Sequence, residues 1–380
     1  MKRVVAKEFA LVEPFRFAVR ERAIDSVPKG HVLLRPVVAG ICGSEMLYFK
    51  GEKERWKLEE RLPMCLLHEG VAEVVDAGAD AKLKVGTYVV VNPLIPCGEC
   101  IACREAGENY CMNSKHMAAT ADGLARTYFL YPSERVMPIP HGVEVELAAL
   151  TEPLSIALNA LEVSDVKPGE RTAVIGDGPI GYVTTLMASY VGGAPKKDLY
   201  FIGIIDEKLS LAADFASTLN SIREKTERLE NSFDVAFEAV GGGSHRITIR
   251  EAIDILRPGG RCVLLGLSRG EIPVEIHKIV NKGLTFMGSV RSRMEHYRRV
   301  LGLLQDDEFK EKARRIISRE TFAIRSAEDL EAAFRYADTE TGEAKTKPGR
   351  VLVYFPSEIE GDRSNRIQRG IYQREVHNRM

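Results

Sequence analysis

The sequence has no run that approaches the ~18 consecutive apolar residues of a membrane helix. Its opening stretch, MKRVVAKEFALVEPF, carries two early basic residues but no apolar core of a secretory leader. No membrane association is expected, and the cytoplasm is the expected location. An excess of charge of one sign is also missing: 53 Lys and Arg stand against 54 Asp and Glu, a formal net charge of -1. Nothing in that balance draws the chain to nucleic acid or to an acidic surface. No internal repeat is visible.

What is present fits two domains, since 380 residues exceed one ordinary core. Residues 1–157 carry short Val-, Gly- and Pro-rich runs (HVLLRPVVAG, EGVAEVVDAG, GTYVVVNPL) broken by turn signals, which predicts an all-β region. From Thr151 the character changes, with helical spacing in EPLSIALNALEV. Over 158–290 strand-like runs (TAVI, LYFIGII, FDVAFEAVGG, GGRCVLLGL) alternate with helical ones, including KLSLAADFAS and RITIREAIDIL. That alternation predicts an α/β unit with a doubly wound parallel sheet. Residues 291–355 have mixed signals and end in VLVYF, and 356–380 form a charged tail to which no function is assigned.

Gly176, Gly178 and Gly181, with Pro179 and Ile180 between the last two, form GDGPIG directly after TAVI and before a helical stretch. In that context the motif predicts a dinucleotide site: a tight turn, a backbone open to a pyrophosphate, and close helix–strand packing. A purely structural strand–helix turn is the plain alternative. The acid that would close the second strand and hold the ribose of NAD is replaced by Gly203. Asp206 follows at the helix start, and Lys208 is a candidate partner for a 2′-phosphate, so NADP(H) is favoured over NAD(H).

Seven cysteines are present, and Cys97, Cys100, Cys103 and Cys111 have the spacing C-x2-C-x2-C-x7-C. Four thiolates close a tetrahedral shell, which predicts structural zinc in a lobe at about 95–113. A nucleic-acid zinc ribbon would carry a basic surround, whereas this loop has Glu99, Glu105 and Glu108 against Arg104. A more scattered set comprises Cys42, His68, Glu69 and Glu152. Thiolate, imidazole and carboxylate suit a catalytic zinc with an open position. Read singly, each has a plain alternative: a buried thiol, a core histidine, a charge at a helix N-terminus.

CGS, HEG, the four-cysteine lobe, EPLS and GDGPIG occur in the order found in the zinc-containing medium-chain dehydrogenases, and the chain resembles that family over roughly residues 1–355. The resemblance implies a GroES-like catalytic domain completed by 291–355, a Rossmann domain, and an active site between them. EPLS resembles the polyol and sugar branch, in which Cys42, His68, Glu69 and Glu152 would surround the metal. RLPMCLLHEGVAEVV, IGDGPIGYVTT, FDVAFEAVGGGS and GLTFMGSVRS are most similar to the ribitol-5-phosphate dehydrogenases, which run as NADPH-dependent ribulose-5-phosphate reductases. The four-cysteine lobe departs from that subgroup.

By the same resemblance Ser44 would relay a proton and Tyr48 would lie on the substrate side, while Glu45 stands where the family has aspartate. A substrate phosphate would need cations, for which Arg291 is the first candidate, with Arg293, Arg55 and Lys57 behind it. The expected partner is a small sugar or polyol, and the expected assembly a homodimer or homotetramer. Two other functions stay open here: dehydrogenation of an unphosphorylated sugar or alcohol, and a non-catalytic zinc- and nucleotide-binding module.

Overall fold

The computed structural model describes residues 3–224, 226–267, 270–338 and 349–356. Apart from Pro356, the charged tail lies outside the described residues.

Apolar and mixed runs build a six-stranded parallel sheet. From one edge its strands are Ser217–Asn220, Leu199–Gly203, Thr172–Ile175, Phe233–Glu238, Leu256–Leu264 and Thr285–Gly288. Helices cover its faces, so the inner strands are apolar almost throughout, with Phe201, Phe233, Val235 and Phe237 fully buried. The order reverses beside Thr172–Ile175, the strand that feeds the Gly-rich turn. A crevice at the carboxyl end of such a sheet is where α/β folds bind nucleotides.

The second body is a seven-stranded sheet around His31–Gly40, which pairs with Glu69–Ala77, Phe129–Pro132 and Arg350–Tyr354. The C-terminal run thus returns to complete a sheet begun near residue 31. Its register sets Gly40 opposite both Glu69 and Leu352, bringing Arg350 onto Glu69. A side chain at Gly40 would lie 2.8 Å from the Glu69 carboxylate and 3.2 Å from Arg350, so this close approach requires glycine.

The helix Thr151–Ser164 joins the two bodies, burying Leu154, Ala157, Leu158 and Leu161 at helical spacing in a core shared with Val71, Val174 and Val263. Two expectations need correcting. The region read as all-β contains the helices Gly43–Phe49 and Arg55–Arg61. The first is short and starts from a reciprocal cap between Cys42 and Glu45; the second is exposed and supported by the i,i+4 pair Arg55–Glu59. Of KLSLAADFAS only the first three residues are helical, as the end of the helix Asp206–Ser210. Tight i→i+3 turns follow, because the chain must reverse before the strand that begins at Ser217.

Candidate active site

Cys42 ends the loop after the His31–Gly40 strand, His68 directly precedes the neighbouring strand, and Glu69 opens it. Their ligating atoms all lie within 4.8 Å of one another. Glu45, one turn into the helix that Cys42 starts, is 1% exposed and works in two directions. One oxygen accepts from the Cys42 N–H (3.2 Å) and the other from His68 Nδ1–H (2.6 Å). With Nδ1 donating, Nε2 is the ring atom left to ligate a metal. The Ser44 hydroxyl donates to Cys42 Sγ at 3.3 Å.

The cluster concentrates acidic groups in the interior. Glu69 is fully buried and forms an ion pair through Oε2 with Arg350 Nε at 3.1 Å, while neither of its oxygens has a hydrogen-bond partner. Glu152, in the first turn of Thr151–Ser164, lies outside the 4.8 Å group but within its field. Burial, then the Glu69 carboxylate, pushes its carboxyl up to about 7. An orphaned carboxylate oxygen beside a thiol, an imidazole and a second buried carboxyl fits a divalent cation with mixed S, N and O ligands.

His116, on the two-residue strand Lys115–His116, stands edge-on to His68 with ring centroids 5.5 Å apart. Its Nδ1 donates to the Met117 carbonyl (2.9 Å), and burial, then His68, holds it down to about 3. Neither His116 nor Arg350 was singled out by sequence reasoning. His116 has no motif around it, and Arg350 reaches Glu69 only through sheet register.

The four-cysteine lobe is a separate centre. Its sulfurs are 3.5 Å (Cys97–Cys111 and Cys100–Cys103), 3.9 Å (Cys100–Cys111) and 4.0 Å (Cys97–Cys103) apart. A tetrahedral zinc with Zn–S bonds of about 2.3 Å has edges of about 3.8 Å, so these four fit a closed site. The backbone supports the thiolates: the Cys97 and Cys100 N–H groups point at Cys111 Sγ and Cys97 Sγ. Backbone donors, those of Cys103 and Met112, bring the Cys100 thiol down to about 6.

In the parallel sheet, Gly176 has φ +122°, and a side chain there would meet Val240 at 2.7 Å. A Cβ at Gly181 would fall 1.7 Å from the Gly176 carbonyl oxygen, which only glycine avoids. Gly178 caps the helix Pro179–Tyr190, with Pro179 at its first position and Ile180 half-buried beside it. The space where a Gly178 side chain would lie is open, as a pyrophosphate approaching the helix N-terminus requires. Gly203 closes its strand. Asp206 is exposed and bound to Arg223 and Asn220, while Lys208 is 9% exposed.

The expected substrate residues are otherwise engaged. Tyr48 is 6% exposed and packs in the β-domain core, its hydroxyl donating to the Ala119 carbonyl at 3.4 Å. Arg291 has φ +53° and donates to the carbonyls of Asn109 (3.3 Å) and Cys111 (3.1 Å), tying the cysteine lobe to the segment after the last parallel strand. Arg293 pairs with Glu162, Arg55 with Glu59, and Lys57 with Glu54.

Residues 28–141 match the family described as "Alcohol dehydrogenase GroES-like domain" and residues 179–306 the family "Zinc-binding dehydrogenase". Ribulose-5-phosphate reductase 1 of Staphylococcus aureus is 31% identical, over 90% of this chain and 98% of that protein. The chain belongs to the zinc-binding alcohol dehydrogenase family. Sorbitol dehydrogenase 2 of Saccharomyces cerevisiae is 29% identical over 76% of this dehydrogenase and 83% of its own length. The crystal structure of S. aureus TarJ in complex with NADPH superposes with a TM-score of 0.75 at 27% identity, covering 93% of this chain and 100% of that one. The protein is therefore a zinc-binding oxidoreductase with a GroES-like and a Rossmann-type part, acting on a small molecule. Among the described residues no helix is long and apolar enough to cross a membrane.

Proposed function

We propose that this dehydrogenase reduces a keto-sugar phosphate such as ribulose 5-phosphate to its polyol, with NADPH, at the Cys42–His68–Glu69 centre. The observation that carries the reading is the buried cluster of those three residues, with its orphaned carboxylate oxygen, joined to similarity with ribulose-5-phosphate reductases over nearly the whole chain. Cys42, His68 and Glu69 would hold the metal, with Glu152 beside them, and Cys97, Cys100, Cys103 and Cys111 would hold a second, structural zinc. When bound, zinc supplies a Lewis acid for the substrate oxygen and the nicotinamide carries the hydride.

The chain's own residues would do the rest. Glu45 fixes the His68 tautomer through Nδ1. Ser44 Oγ, already a donor to Cys42 Sγ, turns its proton toward the substrate oxygen. Glu152, buried in the field of Glu69, would supply a further carboxyl beside the metal. Gly176, Gly178, Pro179, Ile180 and Gly181 form the pyrophosphate turn, and Gly203, Asp206 and Lys208 border the adenosine ribose. Absence of an acid at position 203 and the NADPH bound to TarJ favour NADPH. The division into a catalytic part (1–157 with 291–355) and a nucleotide part (158–290) belongs to this reading, supported by the return of Arg350–Tyr354 to the first sheet. A cytoplasmic homodimer or homotetramer fits it too: the outer edge of Thr285–Gly288 is unpaired among the described residues, and Leu267, Ile276 and Val280 are exposed.

One observation favours a second reading, an unphosphorylated sugar or alcohol as substrate. Every cation singled out for a phosphate, Arg291 first, already has a partner. Oxidation of NADPH by the zinc-replete protein separates the two, with ribulose 5-phosphate compared against free ribulose and a free polyol with NADP. Turnover with the phosphate alone is expected. Equal or better turnover with the free sugar rejects the phosphate reading and leaves the zinc dehydrogenase standing.

A further inference from the structure

The Gly-rich turn carries an acid at its second position, Asp177, whose side chain leans across to the end of the next strand. A Cβ built on Gly203 meets only Asp177 as its three nearest atoms: Cβ at 2.5 Å, Oδ2 at 2.7 Å and Cγ at 2.8 Å. Asp177 thus fills the volume that a side chain on Gly203 would occupy. Oδ2 accepts from both the Ile204 and Ile205 N–H groups, each at 2.7 Å. Oδ1 makes no hydrogen bond among the described residues, and Asp177 is half-buried. The other acid of this corner, Asp206, is taken up by Arg223 and Asn220.

We infer that Asp177 is a cofactor-specificity residue, which delivers from the Gly-rich turn the ribose-facing carboxylate that position 203 lacks. The inference rests on reading this corner as the adenosine-ribose site. Two consequences follow from charge and hydrogen bonding. Oδ1 can accept from a ribose hydroxyl, which favours an unphosphorylated ribose. Oδ2 occupies two adjacent peptide N–H groups that would otherwise greet a 2′-phosphate, and its charge repels one. Lys208 lies in the field of Asp177, and burial keeps its ammonium below the ordinary lysine range. Asp177 moderates the preference for NADP(H) and keeps NAD(H) binding in play.

The test is equilibrium binding of NADPH and NADH, followed by nucleotide fluorescence without substrate. Asp177→Asn retains an acceptor for the two amides and removes only the charge. It is expected to shift the ratio of dissociation constants toward NADPH by roughly tenfold, the size of one charge-assisted hydrogen bond. The double change Asp177→Gly with Gly203→Asp moves the carboxylate to the strand, into space that Asp177 has vacated, and is expected to shift the ratio toward NADH. A folded Asp177→Asn protein with an unchanged ratio, or one shifted toward NADH, overturns the inference. If the wild type itself prefers NADH, the NADPH reading above fails, while the Asp177→Asn shift still decides this one. A wild type that binds neither nucleotide overturns both.

Discussion

The four-cysteine lobe draws every ligand from residues 97–111 of one loop, and three of its four sulfurs belong to half-exposed residues. The Cys42–His68–Glu69 centre draws its parts from two neighbouring strand ends, a helix start and a C-terminal strand, with His68 and Glu69 buried. With every ligand on one loop, the lobe would rely on a bound metal to hold its shape. At the other centre a packed sheet and an ion pair hold the geometry, which would leave a metal there to chemistry. One centre is closed by four thiols, the other kept open by mixed ligands.

Changes at each centre should therefore fail differently. Cys42→Ser is expected to lower turnover by roughly a thousandfold, the several kcal/mol of charge stabilisation a metal provides. Its melting temperature should stay near that of the wild type; a large fall in melting temperature instead would erase the contrast. Arg350→Met leaves Glu69 buried without its cation in the metal-free protein, a loss of about 3–5 kcal/mol in denaturant titrations. Added zinc should recover part of it.

Cys97→Ser is expected to halve the zinc content and lower the melting temperature by several degrees, with residual activity at low temperature. Glu45→Gln keeps the shape but weakens the hold on His68, for a loss of about 10- to 100-fold in zinc affinity and turnover.

The smallest effect concerns the seam between the lobe and the rest. Glu108 binds Arg135 and accepts from the Met294 N–H at 2.9 Å. Burial opposes its ionisation, but those donors hold its carboxyl below the ordinary 4.5. A depressed carboxylate contributes its full stability above 4.5 and loses it as pH falls through the lower folded value. Glu108→Gln should thus cost about 1 kcal/mol at neutral pH. The difference in melting temperature from wild type should close as the pH is lowered through that window.

Local features were legible in the sequence. The lobe is a spacing of one residue type, and GDGPIG sits between a strand and a helix, so neighbours in the chain are neighbours in the site. Where the geometry depends on register, the sequence is silent. Gly40, Glu69 and Arg350 meet because three strands align, and nothing around Arg350 marks it as the partner of residue 69. His116 lies on a strand of two residues, too short for any periodicity. The reach of Asp177 to Ile204 and Ile205 belongs to the fold, and the glycine motif around it gives no sign of it. Arg291 was the first candidate for a substrate phosphate, but its backbone turns it onto the lobe carbonyls.

The most direct test of two zinc centres with separate roles is to follow zinc content and turnover together during dialysis against a chelator. The account predicts that turnover disappears with the first zinc released, while the folded signal persists until the second leaves, and that Cys42→Ser lacks the first from the start. Full turnover in protein that has lost the Cys42 zinc would contradict it.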